Sequence, residues 1–184
     1  LSYHQNGQVK QLLNVEGFQS KGLYKEWYSN GQLRVQTQLV GGTGDLTPEA
    51  QKTWVFNDLF EAFYSNQEKK ALIPFIKGKL SGEARYFFPN GQTHKIIEYS
   101  NNEINGSFSS YNTDGTLSEE TRYSKGLKHG PATLFNQDVN FRLEEFYEQG
   151  YLLSGTYFQG EEKLSEVFNR QGKRTLLSKL LKIE

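Results

Sequence analysis

Three histidines, His4, His94 and His129, are the residues of this 184-residue chain best suited to acid–base or metal chemistry. No two of them stand at metal-ligand spacing. His4 falls in a turn motif, His94 in an expected strand and His129 between Gly126 and Gly130, so each reads as an exposed polar side chain. The paired carboxylates Glu119-Glu120, Glu144-Glu145 and Glu161-Glu162 are sequence neighbours. Neighbours on a strand point to opposite faces, so such pairs form no hydrolytic dyad. There is no Gly-x-Ser-x-Gly elbow to present a serine nucleophile. With no cysteine, thiolate catalysis, disulfides and cysteine–metal sites are excluded. The sequence therefore predicts no catalytic residue, no metal site and no cofactor.

Charge and composition narrow the remaining classes. Lys plus Arg number 21 and Asp plus Glu number 21, for a net charge of zero. A nucleic-acid binder needs an excess basic field, so none is expected here. No stretch approaches the ~18 apolar residues of a membrane-spanning helix. Hydrophobic residues make up only 35% of the chain but aromatics 14%, which suits a thin, surface-rich β structure better than a thick core. The chain opens at Leu1 inside a motif, and is expected to be a fragment of a longer protein. The absence of cysteine fits either the cytoplasm or an exported bacterial chain, so the compartment stays open.

Glycine and aromatic spacing supply the architecture. The pattern aromatic-x-x-Asn/Asp-Gly ends at Gly7, Gly31, Gly91 and Gly115, with degenerate copies ending at Gln67, Val139 and Gly172. Four of the six steps between these ends are 24 residues; the others are 36 and 33, leaving insertions of 12 and 9. Gly22, Gly82, Gly106 and Gly130 each precede a motif end by nine residues, and Gly42, Gly78, Gly126 and Gly150 each follow one by eleven. Leu39, Phe75, Tyr99, Tyr123 and Tyr147 follow by eight. Three markers in one period define a structural repeat. Two turns per 24 residues make each repeat a β-hairpin, and hairpins stacked edge to edge bury a continuous stripe.

Tyr28-Ser29-Asn30-Gly31 and Phe88-Pro89-Asn90-Gly91 fit a type I turn closed by a left-handed glycine, the three-residue hairpin loop. That loop pairs Tyr3 with Val9, Trp27 with Leu33, Tyr111 with Leu117 and Phe135 with Phe141. The residues eight beyond each motif then fall on the same apolar face. Gln67 and Val139 occupy the left-handed place without being glycine, so those turns are expected to be strained or rebuilt.

The fold expected is all-β: an elongated antiparallel meander of about seven stacked hairpin repeats over residues 1–172 in one domain, with an irregular stretch near 151–163. An insertion near 43–57 carries a short helix, with Thr47 as N-cap and Pro48 at the first helical position. Residues 173–184 read as a C-terminal cap, a short helix or a strand, from the spacing of Leu176, Leu177, Leu180 and Leu181.

These motifs resemble the MORN-repeat variant of bacterial proteins described as YwqK-like antitoxins. The resemblance spans residues 3 to about 172 and is strongest from Gly78-Lys79-Leu80-Ser81-Gly82 to Gly91 and from Gly126-Leu127-Lys128-His129-Gly130 onward. It implies a non-catalytic scaffold or binding module and offers no catalytic residue to carry over.

A second sheet face holds the candidate partner-binding residues. Tyr24, Tyr28, Phe60, Tyr64, Tyr86, Phe88 and Phe108 share it, whereas later repeats place Asn112, Ala132, Leu134 and Asn136 there. Stacking needs only one apolar face, so these aromatics are expected to meet either a partner or the chain's own insertion with Trp54 and Phe56. Lys10, Arg34, Lys70, His94 and Arg142, each three residues past a motif end, are expected to form a basic column beside them. Arg34 and Lys70 join the aromatics as partner contacts. The expected function is protein–protein interaction, in one form antitoxin-like. A phospholipid surface, not favoured, and a carbohydrate are the alternatives; oligomeric state stays open.

Overall fold

The structure, a computed structural model, describes residues 1–168. The expected cap and Gly172 lie outside the described residues. Among the described residues fifteen strands form one antiparallel sheet, and its order follows the chain, apart from the two-residue strand Lys79–Leu80, which pairs beside the main path. One helix, Pro48–Gln51, interrupts the meander. Its Thr47 hydroxyl accepts the Ala50 N–H at 3.3 Å, as the N-cap expectation requires.

Five turns have the geometry expected from the motif. At Gly31 the Tyr28 N–H donates to the Gln32 carbonyl at 2.8 Å and the Gly31 N–H to the Tyr28 carbonyl at 2.9 Å. The same two bonds recur at residues 4–8, 64–68, 88–92 and 112–116. The Asn or Asp before the left-handed place locks each turn: the side chains of Asn6, Asn30, Asn66, Asn90 and Asp114 all accept the backbone N–H two residues on. Gln67 keeps the turn with a φ of 71°. Val139 does not, because a β-branched side chain tolerates a positive φ poorly. There Asn140 takes the left-handed place, and Phe141 pairs with Asn136, not with Phe135 as expected. The opposite edge carries two-residue turns with positive φ at both places, as at Lys125-Gly126 and Gln149-Gly150, the type I′ geometry that matches strand twist.

Pairing next to the five motif turns departs from expectation in one systematic way. Trp27 pairs with Leu33 as expected, but Glu26 pairs with Val35, so Arg34 is passed over as an extra residue. Lys10, Lys70, His94 and Ser118 are passed over in the same way. A β-bulge of this kind inserts one residue and exchanges the faces beyond it. Leu39 therefore lies with Tyr24 and Thr37, opposite the Trp27 face. The face taken as secondary is the buried one: it holds Tyr24, Leu39, Ala71, Ala84, Ile97, Ala132, Leu143 and Tyr147. Ala84 is 0% exposed on a single-layered sheet, so larger side chains of the same face close over it. Trp27 lies on the opposite face with Val9 and Leu12.

Candidate functional site

Successive repeats are tied along the turn edge by side chains from the first turn position. The Tyr28 hydroxyl donates to the Phe63 carbonyl at 2.9 Å, and the Tyr64 hydroxyl to the Phe87 carbonyl at 2.8 Å. The His4 ring bonds the Trp27 carbonyl at 2.9 Å in the equivalent place. Asparagine amides add a parallel series, Asn6 to Ser29, Asn66 to Pro89 and Asn90 to Thr113. The repeat itself thus has a use for a hydroxyl-bearing ring at this place, besides the partner or insertion contact expected from the sequence.

Between the ties at Tyr28 and Tyr64 the buried face opens into a cleft of about 380 Å³. It gathers six of the nine residues singled out in the sequence: Tyr28, Arg34, Phe60, Tyr64, Lys70 and Tyr86. Val35, Ala62 and Ala71 complete an apolar floor, and His94 stands at its end. The bulges deliver the cations. Three of the five extra residues stand over the first turn residue of their own repeat: the cations Arg34, at 5.7 Å from the Tyr28 ring, and Lys70, at 5.6 Å from Tyr64, and the His94 ring, stacked on Phe88 at 4.3 Å between centroids. Arg142, expected in the same column, faces the other side over Phe158, because its strand pairs without a bulge.

The other three candidates lie elsewhere. Tyr24 is 5% exposed, packed 4.7 Å from Trp54 of the insertion. Trp54 is anchored by its indole N–H on the Thr43 carbonyl at 3.0 Å. The insertion therefore covers Tyr24 and joins the core around Leu39, leaving Tyr28 and Tyr64 open. Phe88 is held against His94, and Phe108 meets Tyr123 one repeat further on.

Charge in the cleft and beside it is unevenly compensated. Arg34 pairs with Glu26 at 2.8 Å. Lys70 and Lys95, the latter directly across from Tyr86, form no ion pair among the described residues. Burial, then the charge of Lys95, lowers the His94 pKa below its ordinary value, so the ring is neutral at pH 7 and adds no charge. Burial, followed by its contact with Tyr99, raises the Tyr86 pKa and keeps that phenol protonated. Burial pushes the Tyr24 phenol up to about 12. Among the described residues no group of three or more His, Asp or Glu could hold a metal ion, and no helix is long and apolar enough to cross a membrane.

The hairpin repeat and the turn geometry agree with what comparison with known families returns. The family model of the MORN repeat variant matches residues 21–39 and 80–101. The first match covers the strand carrying Tyr24 and its partner to Leu39; the second covers the hairpin of Tyr86 and His94. Both matched segments contribute to the cleft. Such a match supports a repeat scaffold and names no partner. No curated protein matches the chain.

Proposed function

We propose that the chain is a non-catalytic repeat scaffold that binds a protein partner through the cleft between Tyr28 and Tyr86. One observation carries this reading: an apolar floor stays open here between two tethered tyrosines, lined by Lys70, which forms no ion pair among the described residues, and with Lys95 across from its Tyr86 wall. Tyr28 and Tyr64 are tied to the backbone of the next repeat, so the walls are preorganised and binding costs little ordering entropy. A ring face on each is already taken by Arg34 or Lys70, which leaves little platform for a sugar to stack on. Masking of a toxin, the role implied by the antitoxin label of the proteins the sequence resembles, is one form such binding can take.

The test is affinity capture from the native host followed by mass spectrometry, with wild type and Phe60→Ala as parallel baits. A protein retained by wild type and lost from a folded Phe60→Ala bait supports the cleft. Equal retention by both moves the binding surface elsewhere.

A further inference from the structure

The proposed site can be taken one step further, to the chemistry of its occupant; this step rests on the protein-binding reading. We infer that the cleft receives an acidic segment of the partner, with one apolar side chain on the floor and flanking carboxylates on Lys70 and Lys95. The floor of Phe60, Ala62 and Ala71 carries no charge, and a cleft of about 380 Å³ holds a side chain or two, at the small end of ligand sites. Arg34 already has Glu26, so incoming carboxylates meet the two lysines that lack one. Where a lysine of the same face does meet internal acid, at Lys128, it is held 3.5 Å from Glu119 and over the Tyr147 ring. The contrast marks Lys70 and Lys95 as waiting for a charge from outside. A membrane surface suits the cleft less well: recognition of anionic lipid takes roughly 4–8 Lys/Arg in one cluster, and here two are free beside a concave apolar floor.

The test uses immobilised short peptides with one central Phe, Trp or Leu flanked by Glu, by Gln or by Lys, together with phosphatidylserine vesicles. Wild type should favour the Glu-flanked set about tenfold or more, with capture falling as salt rises. The Lys70→Glu, Lys95→Glu double variant, checked for an unchanged melting curve, should reverse the preference towards the Lys-flanked set. A merely structural role for the lysines cannot produce that reversal. Equal capture of all three sets removes the acidic preference and leaves the protein-binding reading standing. Capture of vesicles but of no peptide reassigns the cleft to lipid, and capture of nothing overturns both readings.

Discussion

The repeats ending at Gly31, Gln67 and Gly91 and those ending at Gly115 and Val139 share one backbone plan and differ in how their polar groups are satisfied. In the early group the bulge residues Arg34, Lys70 and His94 stand over Tyr28, Tyr64 and Phe88. In the late group the equivalent pair is Ser118 with Asn112; Ser118 bonds Ser110 at 2.8 Å, and in the following hairpin Leu127–Asn136 pairs with Phe141–Glu148 without a bulge. Late charges on this face are in part consumed internally: Lys128 by Glu119, and one oxygen of the buried Glu145 by the Tyr147 hydroxyl at 2.8 Å, its other oxygen being without a hydrogen-bond partner. Early lysines are not. A scaffold position can thus carry either self-satisfying polarity or an outward-directed cation without changing the fold. The early group has a second distinguishing element, the insertion, which covers one aromatic, Tyr24, and stops short of the rest.

The largest expected effect tests that cover. Trp54→Ala removes the ring packed on Tyr24 and should cost about 3–5 kcal/mol in urea melts, as large aromatic deletions in cores do. A loss below about 1 kcal/mol would mean the insertion is an ornament and the early face is open throughout.

The next effect is read in pH. Tyr24 has its pKa pushed up to about 12 by burial, against about 10 in the unfolded chain. The folded state holds the phenol proton more tightly. The stabilisation is therefore whole below pH 10 and is lost as pH rises towards about 12, a fall of about 2–3 kcal/mol from this group. Subtracting the pH profile of Tyr24→Phe from that of wild type isolates it, and parallel profiles would place Tyr24 in contact with water.

A smaller effect separates the two groups of repeats by their lysines. Lys128→Ala should lower stability by about 1 kcal/mol, since it strips Glu119 and the Tyr147 ring of their cation. Lys70→Ala should change stability by less than about 0.5 kcal/mol, because the lysine is exposed and its cation meets only the half-buried Tyr64 ring at 5.6 Å. Equal losses would erase the distinction between a consumed and a free cation.

Much of this architecture was legible in the sequence because the features that set it have residue-type requirements. A left-handed turn place wants Gly, and the place before it wants Asn or Asp. Hence the hairpin loops, the 24-residue period and the Trp27–Leu33 and Tyr111–Leu117 pairs followed directly. The bulge after each turn was not legible, since its extra residue is Lys, Arg, His or Ser and needs no special side chain. Missing it exchanged the two faces. A signal was present in the small residues: Ala84 and Ala132 stand seven before a motif end, the place of Tyr24, Phe60 and Phe108, as expected where large neighbours must close over a buried rung. The same omission hid why Arg142 leaves the basic column. The side-chain ties from Tyr28 and Tyr64 were hidden for another reason, because they join residues 35 and 23 apart through backbone carbonyls that carry no sequence signature.

The proposed binding belongs to the early part of the buried face, where Lys70 forms no ion pair among the described residues, and not to the late strands, where Lys128 meets Glu119. Amide chemical-shift mapping of the isotope-labelled chain, titrated with a Glu-flanked aromatic peptide, tests it most directly. The account predicts shifts concentrated at Arg34, Phe60, Ala62, Lys70, Ala71, Tyr86 and Lys95, with the strands Leu117–Ser124 and Phe141–Glu148 unmoved. Shifts centred on Thr121, Glu145 and Tyr147, or spread evenly over both groups of repeats, would contradict it.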